Sequence, residues 1–291
     1  MNTVDTFELE AENRAANLPD LLVSAENLAS TVLSGVHGRR RAGQGDDFWQ
    51  YRPLATGDAL RDIDWRRSAR GDQTYIRQRE LQLAQSVGIW VDSSATLRFA
   101  SQKSLPTKAQ RARVLGLAVG IVMLRSGERV GLAHKSLPPR RSPLQRQALA
   151  EAIALDVDLE FEMPDIKVLP AYSRAVFLSD FLAPIDILQS AIGDAANKGI
   201  KGVLMQVLDP AEEDFPFRGR TIFQSVFGSM KHETQKASDL RDRYLDRLAE
   251  RRDALSQLAR QVGWHFVQHR TDNSALSALL WMYQAIEGHK R

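Results

Sequence analysis

The sequence contains no cysteine among its 291 residues, which excludes disulfides, thiolate zinc sites and a cysteine nucleophile. It also has no uninterrupted apolar run close to the roughly 20 residues that a membrane-spanning helix needs. Residues 1–20 are polar and acidic, which is not the pattern of a secretory signal. We therefore expect a cytoplasmic protein that does not insert into a membrane.

Several catalytic motifs are also missing from the sequence. There is no G-x-x-x-x-G-K-[ST] loop for nucleotide phosphates, no G-x-S-x-G nucleophile turn and no H-E-x-x-H zinc motif. These absences disfavour a P-loop nucleotide hydrolase, the commonest serine hydrolases and a zinc peptidase.

The charge of the chain is high but mixed. Its 39 basic and 36 acidic residues give a formal net charge of only +3 at a pI of about 9.2. Arginines alternate with acids in stretches such as RDIDWRRSARGD and DLRDRYLDRLAERRD. Interspersed charge of this kind is typical of solvated faces and ion-pair networks, which disfavours nucleic-acid binding as the function.

The hydrophobic pattern predicts alternating strands and helices. A helix is predicted to begin at residue 18 and to stop at Gly35, and residues 37–73 show little periodicity. The predicted strands span 74–81, 87–91, 129–134, 174–182, 201–209, 221–227 and 264–268, and the predicted helices 107–127, 142–154, 184–197, 238–262 and 274–287.

Short strands that are apolar on both faces, alternating with helices, are typical of a parallel sheet covered on two sides. The prediction is an α/β fold with a doubly wound, mostly parallel sheet, preceded by an N-terminal helix and a loop/strand extension. The predicted divisions are a disordered polar tail over 1–17, the helix with its extension over 18–83, and the α/β domain over 84–288.

Two carboxylates lie at the carboxyl ends of predicted strands of this sheet, Asp92 after VGIWV and Asp180 at the end of RAVFLSD. Ligand sites of such sheets form at the carboxyl ends of the strands, near the point where the strand order reverses. The cluster D-S-S-A-T that begins at Asp92 allows three interpretations. It is a turn or helix cap, a phosphoryl-transfer aspartate with Ser94 in place of the second acid, or an oxygen-rich site for a hard cation such as Mg²⁺.

The cluster resembles the D-x-S-x-S metal-ion-dependent adhesion site of von Willebrand factor A domains. That resemblance implies metal ligation by Asp92, Ser94, Thr96 and Asp180, with Mg²⁺ as the ion. The family also uses a threonine from an intervening loop, whereas this chain has no threonine between Thr107 and Thr221. The serines that could replace it are Ser136, Ser142 and Ser173.

The passage DFWQYRPLATGDALRDIDWRRSARGDQTYIRQRE resembles the signature of the bacterial domain of unknown function family 58. The matching positions that we take as interaction or signature residues are Arg52, Gly57, Asp58, Arg61, Asp64, Trp65, Arg70 and Arg77. In physical terms, Gly57 permits a turn, while Asp58 and Asp64 accept hydrogen bonds from arginine or backbone. We expect Trp65 to pack onto the core, and Arg61, Arg66, Arg67 and Arg70 to form an exposed contact surface.

The resemblance implies a non-enzymatic A-domain protein that works with a MoxR-type AAA+ ATPase in the assembly or activation of a client protein. In this interpretation, a Mg²⁺ ion at the Asp92 cluster bridges to an acidic group of a partner. The alternatives are a structural A-like module with a dead metal site, a metal-dependent phosphatase and a nucleic-acid binder.

Overall fold

A computed structural model describes residues 18–34, 48–55, 60, 63–71, 73–79, 84–134, 137–157, 159–225 and 231–288. The chain forms two compact units, one of residues 1–33 with 85–291 and the other of residues 34–84. Among the described residues, no helix combines the length and the apolar character needed to cross a bilayer. The predicted division of the chain into a tail, an extension and an α/β domain stays a prediction.

The larger unit is built on a five-stranded sheet in which every neighbouring pair is parallel. Its strands are β3 (Ser86–Val91), β4 (Arg129–Leu132), β5 (Arg174–Ser179), β6 (Lys201–Leu208) and β9 (His265–Arg270), in the spatial order β4-β3-β5-β6-β9. The chain starts at β3, moves outward to β4, and then returns past β3 to β5 and onward to β9. This order confirms the predicted doubly wound α/β fold and places its reversal between β3 and β5.

Helices cover both faces of the sheet. They are α1 (18–34), α3 (Lys108–Arg125), α4 (Gln145–Ile153), α5 (Ile185–Asn197), the short α6 (Pro210–Asp214), α7 (Arg241–Gln261) and α8 (Ala275–Glu287). One face buries large aromatic side chains of the strands, among them Trp90 and Phe177, against α5 and α7. On the other face α3 packs directly on β3: a Cβ atom added at Gly116 would overlap the side chain of Val91.

The N-terminal helix α1 is joined to the rest of the larger unit by ion pairs. Glu26 accepts hydrogen bonds from Arg125 at the end of α3 and from Arg146 in α4, the latter at 2.6 Å. Ser30 also accepts from Arg125. Buried Ala25, Ala29 and Val32 lie on one side of α1, so the helix is amphipathic.

The smaller unit contains an antiparallel pair, β1 (Phe48–Pro53) and β2 (Tyr75–Arg79), and the one-turn helix α2 (Trp65–Ser68). The strand β2 lies inside the predicted range 74–81, whereas β1 falls in a passage where the sequence shows little periodicity.

A second antiparallel hairpin, β7 (Thr221–Gln224) with β8 (Lys231–Thr234), follows α6 in the larger unit. Only β7 is predicted from the sequence; residues 226–230 lie outside the described part of the chain.

Candidate functional site at the carboxyl edge of the sheet

The carboxyl edge of the sheet, where β3 and β5 end side by side, brings the two predicted aspartates to neighbouring positions. Asp92 directly follows β3 and Asp180 directly follows β5. The parallel register aligns Val91 with Leu178, and the Asp92 backbone N–H donates to the Leu178 carbonyl at 2.9 Å. Because the strand order reverses between these two strands, the aspartates lie at the position where α/β sheets form ligand sites.

Asp92 is buried and bound by two neutral donors. Its Oδ1 accepts from the Ser94 backbone N–H at 2.9 Å, and its Oδ2 accepts from the Ser179 hydroxyl at 2.6 Å. No lysine, arginine or histidine of the described residues forms an ion pair with this carboxylate. Burial and the negative charge of Asp180 raise the pKa of Asp92 to about 6, although the hydrogen bonds from Ser179 and Ser94 oppose the shift.

The two hydroxyls that follow Asp92 point to each other. Ser94 Oγ and Thr96 Oγ1 are 3.1 Å apart, with Ser94 fully buried and Thr96 partly exposed. Ser94 is the N-cap of the short 3-10 helix Ala95–Arg98, but its side chain makes no capping hydrogen bond. Asp92 closes a local turn by accepting from the Ser94 N–H, as the cap interpretation expects. The hydroxyls of Ser94 and Thr96 bond to each other instead of capping the backbone.

The neighbouring Ser93 is held from a different part of the chain. Both its backbone N–H and its hydroxyl donate to Glu162 Oε2, at 2.9 and 2.8 Å. These bonds fix the turn that carries Asp92 and Ser94, so the orientation of the predicted ligands depends on a loop 69 residues further along.

Asp180 differs from Asp92 in having a cationic partner. The Lys108 ammonium donates to Asp180 Oδ2 at 2.9 Å and to Glu212 Oε1 at 2.7 Å. Lys108 is the first residue of α3 and is only 1% exposed. Burial lowers the pKa of Lys108, but Asp180 and Glu212 outweigh burial and raise it above its ordinary value. We call Lys108, Asp180 and Glu212 the Lys108 cluster.

Backbone groups and buried polar side chains hold the Lys108 cluster in place. The Leu182 N–H donates to Asp180 Oδ1 at 3.0 Å, and the Asp209 N–H donates to Glu212 Oε2 at 2.8 Å. Asp209 caps α6 and also accepts from the Ser101 N–H at 2.9 Å. All the carboxylate oxygens of the cluster are therefore used within the protein.

The serines predicted as replacements for the missing threonine do not come to this edge as a group. Ser173 immediately precedes β5, so it lies at the opposite end of the strand from Asp180. Ser142 accepts from the Leu144 N–H at the start of α4. Ser136 lies outside the described residues.

The signature residues belong to the smaller unit, and Asp64 acts there as expected. It caps α2 by accepting from the Arg67 N–H at 2.9 Å, and its other oxygen accepts from the Tyr51 hydroxyl at 3.0 Å. The Arg67 guanidinium lies 4.3 Å from the centre of the Tyr51 ring and 5.2 Å from that of Tyr75. This arginine is therefore part of a local stack.

The expectation that Trp65 packs onto the core is wrong. Its side chain is 65% exposed, because it opens a one-turn helix with no buried residue. Arg66 and Arg70 are also exposed.

The remaining signature residues are only partly covered by the structure. Arg52 lies in β1 opposite Ile76, and Arg77 lies in β2 opposite Tyr51. Gly57, Asp58 and Arg61 fall outside the described residues, so their predicted roles stay predictions.

The donor set at Asp92 fits a hard cation better than that at Asp180 does. Asp92, Ser94 and Thr96 offer one carboxylate, which has no cationic partner in the described ranges, and two hydroxyls within 3.1 Å of each other. Oxygen donors of this kind suit Mg²⁺. The Oδ2 atom of Asp180, in contrast, already accepts a hydrogen bond from the Lys108 ammonium. Within the described part of the chain, no three histidine, aspartate or glutamate side chains are grouped so that they could hold a metal ion.

Sequence reasoning missed Lys108, Glu212 and Ser179. A lysine that follows a helix cap is typical of a solvated surface, and Glu212 falls in a passage that the sequence pattern predicts to be a loop. Ser179 was the easiest of the three to predict. It precedes Asp180 at the end of a strand, so its hydroxyl lies beside the end of the neighbouring strand.

Comparisons with known proteins identify relatives, a structural neighbour and a family. The uncharacterized protein Rv1480 of Mycobacterium tuberculosis is 26% identical over 293 residues, covering 94% of this chain and 90% of that protein, and an uncharacterized protein of Mycobacterium bovis matches equally. The crystal structure of the conserved hypothetical protein BatB from Bacteroides thetaiotaomicron aligns with a TM-score of 0.43 at 12% identity, covering 70% of this chain and all of that one. The model of the family described as "Protein of unknown function DUF58" matches residues 50–254, and the chain belongs to that family.

Proposed function

We propose that this protein is a non-enzymatic interaction adaptor that docks a partner at the carboxyl edge of its sheet, around Asp92, Ser94, Thr96 and Asp180. The observation that carries the proposal is the buried Asp92 carboxylate, which has no cationic partner among the described residues. An ionised group in this setting costs free energy, and a ligand that supplies positive charge removes that cost.

Mg²⁺ is the ion that we propose for this position, held by Asp92, Ser94 and Thr96. When bound with so few protein charges, it would offer a coordination position to a carboxylate of a partner. Ser179 and the Ser94 backbone N–H orient the Asp92 carboxylate, and Glu162 fixes the turn through Ser93. These contacts give the partner a preorganised set of oxygens without requiring a catalytic base or nucleophile.

The partners that we propose are a MoxR-type AAA+ ATPase and a client protein, in the cytoplasm. Support for this assignment comes from the resemblance of the signature passage and from the A-like D-x-S-x-T cluster. The family description itself gives no function.

The test is capture of a purified MoxR-type AAA+ ATPase by the immobilised chain, with Mg²⁺ or with a chelator. We expect capture in Mg²⁺ that is lost with the chelator and in Asp92→Ala. Asp253→Ala, which removes an exposed aspartate of α7, is the matched control and should bind as the wild type does. Capture that is unaffected by both chelation and Asp92→Ala would refute the metal bridge.

One alternative also has a specific observation in its favour. A structural A-like module with a dead metal site fits the pairing of Asp180 with Lys108, since that carboxylate is already neutralised. This alternative predicts that Mg²⁺ and Mn²⁺ leave the midpoint of thermal unfolding unchanged, whereas a bound ion stabilises the native state.

A further inference from the structure

The side chain of Lys108 occupies a position that helix electrostatics does not explain. As the first residue of the 18-residue helix α3, it places a cation at the end of the helix that already carries partial positive charge. It is also 1% exposed, and burying a long charged side chain is costly unless it is paired. Its location must therefore be stabilised by groups outside its own helix.

Those groups are the other two members of the Lys108 cluster. The ammonium uses two of its three donors on Asp180 Oδ2 and Glu212 Oε1. The side chain of Asp180 is 2% exposed and that of Glu212 is 17% exposed, so solvent screens the two contacts weakly. The ammonium thus pairs with one of the two aspartates of the carboxyl edge, while Asp92 has no cationic partner among the residues that the structure describes.

This asymmetry bears on the proposed cation site. A divalent ion shared by two strand-end aspartates would draw on the oxygens of both. Here Asp180 Oδ2 is bonded to the ammonium and Oδ1 to the Leu182 N–H. An ion that approached Asp180 would also meet the repulsion of a fixed positive charge.

We propose that Lys108 is a built-in counter-ion that holds Asp180 out of the cation site, so that a divalent metal binds through Asp92, Ser94 and Thr96 alone. This inference rests on the proposed cation site and adds a determinant of its affinity. Because Asp180 is already paired with the ammonium, it adds no ligand to the ion, and the ion therefore binds weakly and exchanges readily.

The decisive variant is Lys108→Met combined with Glu212→Gln. The single change Lys108→Met leaves two buried carboxylates without a cation and is at risk of not folding. The double variant removes one positive and one negative charge, so the net charge of the cluster equals that of the wild type. Any gain in metal affinity then comes from the release of Asp180 and not from a more negative site.

The measurement is titration of the full chain with Mn²⁺, followed by electron paramagnetic resonance of the free ion and by calorimetry. We expect the double variant to bind Mn²⁺ at least about tenfold more tightly than the wild type, a change of about 1.4 kcal/mol in binding free energy. Adding Asp92→Asn to the double variant should abolish the gain. Lys103→Met, which removes an exposed lysine near the same helix start, should leave the affinity unchanged.

Equal affinity in the wild type and the folded double variant, including no binding by either, would overturn the role of Lys108. A gain that survives Asp92→Asn would overturn it as well. Failure of the proposed adaptor function is a separate result: capture of the ATPase can fail while the double variant still gains Mn²⁺ affinity through Asp92.

Discussion

Replacement of Asp92 by asparagine should stabilise the metal-free protein at neutral pH. The substitution keeps the size of the side chain and removes the charge. The asparagine side chain retains an oxygen that can accept from the Ser94 N–H, and its amide can donate to Ser179, whose hydroxyl already accepts from the Phe181 N–H. The wild-type carboxylate is 4% exposed, so the charge that is removed is a buried one.

The magnitude follows from the pKa of Asp92. Burial, with Asp180 adding to it, raises this pKa from 3.8 to about 6, and a pKa difference of about 2 between the folded and unfolded states corresponds to about 3 kcal/mol. Because the folded-state pKa lies above the unfolded-state value, the native protein binds more protons between these pKa values, and its stability falls as the pH rises from about 4 to 6. The variant also loses one charge-assisted hydrogen bond, which lowers its stability by about 1 kcal/mol. The net gain for Asp92→Asn is about 2 kcal/mol above pH 6.

The assay is urea unfolding of both proteins in a chelating buffer across a series of pH values. We expect the difference in unfolding free energy between the variant and the wild type to grow by about 2 kcal/mol between pH 4.5 and 7.5. The exposed Asp253→Asn is the control and should show no such growth. A variant that is no more stable than the wild type at pH 7.5 would refute the reasoning, as would a difference that does not change with pH.

Three other substitutions test the Lys108 cluster, the packing at Gly131 and the exposure of Trp65. Lys108→Met should lower the free energy of unfolding by about 3–5 kcal/mol, because it breaks a buried ion-pair cluster, and urea unfolding should show part of that loss recovered in Lys108→Met with Glu212→Gln. Gly131→Ala should cost about 1–3 kcal/mol or more in thermal unfolding, since the new Cβ would overlap backbone atoms of Leu137 and Pro139; an unchanged midpoint would contradict this packing. Trp65→Ser should change the unfolding free energy by less than about 0.5 kcal/mol, because the side chain is largely exposed, and a large loss would restore the expectation of core packing.

The central sheet could be predicted because its signals are local. The strands β3 and β5 are buried along their whole length, so they read as continuous apolar runs bounded by polar residues. The helix α3 has its start encoded by a capping box at Thr107 and Gln110. Each of these elements is specified by residues within a few positions of one another, which is what a pattern along the chain can detect.

The antiparallel strands β1 and β8 were harder to predict than the central sheet. β1 (FWQYRP) and β8 (KHET) have no clean alternation. β1 is held by its pairing with β2, more than 20 residues away along the chain. Pairing energy between such segments leaves no local trace in the sequence.

In the candidate site, the positions of the two aspartates could be predicted from the sequence, whereas the partners of Lys108 could not. The placement of Asp92 and Asp180 follows from where two parallel strands end, so it could be predicted from strand positions alone. The partners of Lys108 lie 72 and 104 residues away along the chain. No spacing rule connects a lysine to carboxylates at such separations, and only the folded sheet brings them together.

The two aspartates of the carboxyl edge are treated unequally, and this inequality separates a structural group from a functional one. Asp180 has an ammonium on one carboxylate oxygen and a backbone N–H on the other, which is how a fold accommodates a buried charge. Within the described part of the chain, Asp92 has only neutral donors, and its pKa is raised, so it lowers the stability of the metal-free protein at neutral pH. A fold under selection for stability alone would replace it with asparagine. A residue that breaks a local rule without compensation within the protein is expected where a ligand supplies the compensation, and Asp92 is therefore the residue of this edge that most directly requires an external cation.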